Sequence, residues 1–249
     1  QNNCRRVNGT FDAFLYFEGS NTDLPMTEVS QSTLEFLSKL KQNNNRVWFD
    51  AHKNHFKGEE AKLKGFFNTV MADLNLEDTI DKMKIYRIYK DVRFSKEKIP
   101  YNVHRSVGFS RATEKLRGGY YLRIEPGNSL LAGGFFQPNP TDLLRIRKEF
   151  ETDATEIRAL LRAPSFQQYF GILEGTSVKT APRGFDKTHP AIDLIRKKSF
   201  LATRSFTDEE VLSKDFRSEV KASFNALRPF FDYMSDVLTT DLNGVSLLK

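Results

Sequence analysis

The chain has 249 residues, 39% hydrophobic and 28% charged, which is enough apolar surface for a packed core and too much for a disordered chain. No run approaches the roughly 18 consecutive apolar residues of a membrane span, so no membrane partner is expected. Cys4 is the only cysteine, which excludes an internal disulfide and a cysteine-based metal cluster; with no secretory signal read at the N-terminus, a reducing, cytoplasmic location fits.

The net charge of +6 is unevenly placed. Between Lys82 and Arg123, twelve lysines and arginines face three acids (Asp91, Glu97 and Glu114), so this segment carries the whole positive excess. Such a concentration points to a local site for an anion, and a solvated basic surface gives the same count.

Residues 1–25 lack a helical or strand period and read as an N-terminal extension or leader, with Met26 opening a single domain over 26–249. A short docking strand around Phe11–Phe17 is the competing reading. Ser32-Thr33-Leu34-Glu35 has the form of a capping box. The helix after it carries Leu34, Leu37 and Leu40 on one face and stops at Asn43-Asn44-Asn45, where asparagine tolerates a left-handed cap. A second helical period runs from Arg46 to Leu74, with Gly58 the expected break.

From Ile85 the period changes to two. Tyr86, Ile88, Val92 and Phe94 alternate with Arg87, Tyr89, Asp91 and Arg93, which predicts a half-buried strand; Lys90 is the discordant residue on its apolar side. Val103, Val107 and Phe109 suggest a second strand, and 120–125 with 130–136 flank Pro126-Gly127-Asn128-Ser129 as a hairpin. Asn139-Pro140 opens a helix to about Glu151, and Asp153 to Glu156 cap another that ends before Pro164. A loop follows over 171–188, then a short helix after His189-Pro190 and a strand across Ser199–Phe206. Thr207-Asp208-Glu209-Glu210 is a further capping box. The long helix after it presents Phe216, Val220, Phe224, Leu227, Phe231 and Met234, with a bend expected at Pro229. Adjacent strands with short links predict an α+β single domain: a mostly antiparallel sheet of about five strands from 84–137 and 199–206, flanked by helices at both ends of the chain.

On a strand, Arg87, Tyr89, Asp91 and Arg93 share one face, and Ser95, Lys98 and Tyr101 extend the array into the next turn. Arginine forks match phosphate or carboxylate oxygens, and tyrosine adds a hydroxyl or a stacking surface. The plainer alternative is an outer sheet face on which Asp91 pairs with its neighbours. His189 joins the candidate ligand-binding set as an acid/base, although a histidine before Pro190 also serves as a helix-entry hydrogen-bonder. His52, His55 and Glu59 lack zinc-site spacing, so no metal is expected; neither a phosphate loop nor a dinucleotide fingerprint is present, so no cofactor is expected.

Six ordered blocks carry a family resemblance. They are Asn43 to Asp50, Tyr86 to Tyr101, Gly119 to Leu122 with Glu125-Pro126-Gly127, Ala181 to Phe185, His189-Pro190-Ala191, and Thr207 to Leu212. Together they resemble a family of conserved hypothetical proteins of bacteria and fungi, domain of unknown function 2461, over roughly residues 32–240. Val103-His104 departs from the pattern, where more polar residues are expected. The resemblance implies no activity. Three readings therefore stand: a binding domain whose basic sheet face takes an anionic small molecule or nucleic acid, an enzyme acting on a phosphorylated or carboxylated metabolite with Arg87 and Arg93 as clamps, and a scaffold or interaction protein.

Overall fold

Alternation of side chains is strongest between Arg105 and Phe135, and this stretch forms the middle of the sheet. The computed structural model describes residues 28–93, 96, 98–241 and 243–248; the expected extension over 1–25 and the start at Met26 lie outside them. Five strands, β1 (Ile80–Ile85), β2 (Arg105–Arg111), β3 (Gly119–Ile124), β4 (Ser129–Phe135) and β5 (Phe200–Phe206), pair antiparallel in chain order. Phe109 stands opposite Tyr120, Leu122 opposite Leu131, and Phe135 opposite Phe200, so these residues share one buried face.

Helices precede and follow the meander: α1 (Gln31–Gln42), α2 (Arg46–Ala51) and α3 (Lys53–Leu74) before it; α4 (Pro140–Thr152), α5 (Thr155–Arg162), α6 (Pro164–Tyr169) and α7 (Ile192–Ile195) ahead of β5; α8 (Asp208–Leu212) and α9 (Phe216–Thr239) after it. The chain is thus α+β, as its spacing predicts. Phe66, Phe67 and Val70 of α3 and Phe224, Leu227 and Phe231 of α9 fill the inner face of the sheet. Each such side chain contributes about 1.5–3 kcal/mol when fully buried. Gly133 lets α9 lie directly on β4: a Cβ there would stand 2.4 Å from Leu227 Cδ1 and 3.0 Å from Phe231 Cζ. Helices α1 and α2 pack on α3; α4, α5, α6 and α8 pack on α9; and α7 packs on α4. The helical layer therefore gathers on one face, while Lys82, Lys84, Ser106, Gly108, Ser110, Tyr121 and Arg123 stand on the other.

Several local expectations are corrected. The N-cap of α1 is Ser30 rather than Ser32, and Ser30, Ser32 and Thr33 all turn their hydroxyls to the buried Glu59 of α3 (3.2, 3.0 and 2.7 Å). The long helical run breaks at His52, not Gly58; His52 Nδ1 lies 2.8 Å from the Trp48 carbonyl oxygen and its ring stacks on Trp48 at 4.0 Å. Asn43 ends α1 with φ −125°, outside the left-handed region. Pro164, at the first position of α6, starts a helix as well as ending one. The capping box of α8 forms as expected, with Glu210 N donating to Thr207 Oγ1 and Thr207 N donating to the Glu210 carboxylate.

The largest correction concerns the basic strand. The strand here is β1, Ile80–Ile85, and pairing stops where the expected strand begins. Residues 88–90 instead meet 100–102 in a short arm: Lys90 N donates to Pro100 O, Asn102 N donates to Ile88 O, and Tyr89 bridges Tyr101. The reason is a second apolar cluster, in which Phe36, Leu37 and Leu40 of α1 and Phe49 of α2 bury Ile88 and Tyr101 of the arm. That cluster draws the chain off the sheet. Among the described residues no helix is long and apolar enough to cross a membrane.

Candidate anion-binding site

The arm is anchored at the α1–α2 turn. Asn44 clamps the Tyr101 backbone from both sides, its Nδ2 donating to the carbonyl and its Oδ1 accepting from the amide. The Tyr101 ring is buried and stacks on Phe49 at 4.1 Å. Burial pushes its hydroxyl above the ordinary tyrosine range, with the charge of Asp50 and the neighbouring Tyr89 adding and Arg46 opposing. Two of the sequence blocks, Asn43 to Asp50 and Tyr86 to Tyr101, thus meet in space.

The candidate residues then separate into distinct settings. Asp91 folds back on Arg93, accepting from its backbone amide (3.2 Å), from Nε (2.9 Å) and from Nη2 (2.6 Å). Those bonds hold the Asp91 carboxyl below its ordinary range, and the charge of Arg87 adds to them. The Arg93 fork is therefore engaged locally, as in the alternative reading of the array. Lys98 Nζ donates to Val92 O at 2.9 Å and closes the tip of the arm. Ser95 lies outside the described residues. Tyr89 remains 49% exposed, its ring edge-on to Phe49. Arg87 is exposed, and its backbone carbonyl accepts from Asn102.

His189 does not join this group. It lines a shallow groove with Glu151, Asp153, Thr155 and Arg158 of the α4–α5 region. Its Nδ1 accepts from Ala191 N at 3.1 Å, which is the helix-entry role. His55 Nε2 lies 3.5 Å from Glu59, whose oxygens are taken by Ser30, Ser32, Thr33 and Lys62. Among the described residues no group of three or more potential metal ligands gathers.

The positive excess of the 82–123 segment also divides. Arg105 pairs with Glu60 (2.5 Å), Arg111 with Asp78 (2.7 Å) and Asp232 (2.6 Å), Arg117 with Asp142, and Arg123 with Glu125 (3.2 Å). These arginines hold β2 and β3 to the helices and turns around them. Among the described residues of this segment, Lys82 and Lys84 of β1, Arg87 and Lys90 at the start of the arm, and Lys96, Lys98 and Lys115 are exposed and make no ion pair. Lys84 lies over the Tyr86 ring, 5.2 Å from its centroid, and the ring is edge-on to Tyr121 at 6.1 Å.

Reading the alternation from Ile85 missed Lys82, Lys84 and the partnership of Tyr86 with Tyr121. The signal was present one segment earlier, in Ile80-Asp81-Lys82-Met83-Lys84-Ile85. There a bulge between Ile80 and Lys82 shifts the register and disguises the period. No curated protein matches the chain. A family model described as conserved hypothetical protein (DUF2461) matches residues 32–233, and the blocks that build the α1–α2–arm cluster lie within that span, so the chain belongs to the DUF2461 family.

Proposed function

We propose that this domain binds a phosphate-bearing anion at the corner where β1 meets the arm. One observation carries the reading: Lys82, Lys84, Arg87 and Lys90 are exposed within one nine-residue stretch and make no salt bridge among the described residues, whereas the arginines of β2 and β3 are each paired. An exposed cation keeps its hydration and its long-range field, so it attracts an anion without first breaking an ion pair. All four cations are solvent-exposed. Contact from one side suits an extended or polymeric anion better than a small enclosed metabolite.

Retention on an immobilised phosphate polymer tests this. Lys82→Ala/Lys84→Ala and Arg87→Ala are expected to elute at clearly lower salt than the parent. Lys41→Ala/Lys64→Ala, which removes one exposed charge from α1 and one from α3, is the control of equal net charge for the double variant. Equal elution of the corner double variant and this control would refute the site and leave only bulk charge. Arg87→Lys should fall between parent and Arg87→Ala, because an ammonium lacks the planar fork.

A further inference from the structure

We infer that the anion is a single-stranded nucleic acid, one base of which stacks on the ring of Tyr86. This rests on the phosphate-binding corner and names its ligand class. Tyr86 follows the last residue of β1, and its backbone amide still donates to Ser106 O at 2.9 Å, so the ring is fixed at the sheet margin. The ring folds back over β2 at Gly108. A Cβ on Gly108 would lie 3.3 Å from Tyr86 Oη and 3.5 Å from Cε2, so the glycine leaves room for an aromatic ring to lie against the strand. Tyr121 of β3, opposite Gly108 in the register, supports the ring from the side.

A tyrosine so supported is still 42% exposed. The cation over it belongs to Lys84, an exposed and flexible side chain whose ammonium can move to a phosphate and uncover the ring for a base. Stacking and phosphate pairing thus use two near neighbours, Lys84 of β1 and Tyr86 just past its end, with Lys82 and Arg87 close by in the chain. The second exposed ring, Tyr89, is three residues on, at most about 11 Å along the chain, within reach of a neighbouring nucleotide. Aromatic rings interleaved with unpaired cations on an open sheet surface are what a base-stacking, backbone-tracking site requires. A metabolite phosphate needs the cations alone and gives no use to a ring held against a glycine.

The test is fluorescence anisotropy on the full chain with a labelled oligothymidylate of roughly 12 nucleotides and an abasic oligodeoxyribose phosphate of the same length. The inference expects the oligothymidylate to bind at least about tenfold more tightly than the abasic strand. Tyr86→Ala should remove most of that difference while leaving abasic binding unchanged, and Tyr86→Phe should keep it. Gly108→Val, which displaces the ring without deleting it, should act like Tyr86→Ala, with circular dichroism confirming the fold of both. Equal affinity for the two strands, with no effect of Tyr86→Ala, overturns base stacking and leaves the phosphate site standing. No binding of either strand at low salt overturns both.

Discussion

The same residue type does opposite work at two positions of this chain. Arg111 is fully buried, pairs with Asp78 and Asp232, and lies over the Phe231 ring at 5.5 Å. Removing it strands two carboxylates, one of them buried, so Arg111→Ala is expected to cost about 3–5 kcal/mol in urea denaturation. Arg87 is exposed and unpaired, so Arg87→Ala should stay within about 0.5 kcal/mol of the parent. Equal costs for the two substitutions would contradict this division between structural and available cations. His104 adds a pH dependence. It is half-buried, and burial pushes its pKa below the ordinary histidine value; Glu125 opposes this, while Arg123, Arg105 and Lys90 reinforce it. Between the depressed folded pKa and the unfolded value near 6.5, the unfolded chain binds more protons, so stability rises with pH across that window. Urea midpoints are therefore expected to fall on acidification below about pH 6.5, and His104→Gln should flatten that fall. An identical acid sensitivity in His104→Gln would assign it to other groups.

At the scale of elements, the tightest joint is the seat of α9 on β4. Gly133→Ala places a methyl group against Leu227 and Phe231 and is expected to destabilise by about 1–3 kcal/mol. Because Leu227 is the clashing neighbour, Gly133→Ala with Leu227→Ala should cost less than the sum of the single variants; strict additivity would show that the helix does not rest there. Elements of this kind were legible from the sequence wherever period and punctuation agreed. The hairpin around Pro126-Gly127, the Asn139-Pro140 helix start and the Thr207–Glu210 capping box are such cases, because each is decided by its own residues. The basic strand was not legible, because tertiary packing decided it. Ile88 reads as the apolar side of a strand and Tyr101 as part of the next turn, but both serve the cluster with Phe36, Leu37, Leu40 and Phe49, and no local period separates these outcomes. Lys90, out of place on the apolar side, was the one residue that disagreed with a strand. For the candidate site, sequence pointed to the 82–123 segment and put Arg87 and Tyr89 among the candidates. It could not tell Arg105 and Arg111, which carboxylates distant in sequence neutralise, from Lys82 and Lys84, which none does.

For the whole molecule, layering and charge point the same way. Helices α3 and α9 cover the inner face and take its large apolar side chains, while the outer face carries polar and small residues with Tyr121 and, towards β1, the cations Lys82 and Lys84. The central claim is that this corner, rather than the net charge of +6 as a whole, holds the phosphates. It is tested most directly by the salt dependence of oligothymidylate affinity for the parent, for Lys82→Ala/Lys84→Ala, and for the control Lys41→Ala/Lys64→Ala. Every phosphate that a substitution leaves unneutralised should reduce the slope of log affinity against log salt by about 1, so the corner variant should be shallower than the parent by about 2 while the control keeps the parent slope. A corner variant with the parent's slope and affinity, or a control as weakened as the corner variant, would contradict the assignment.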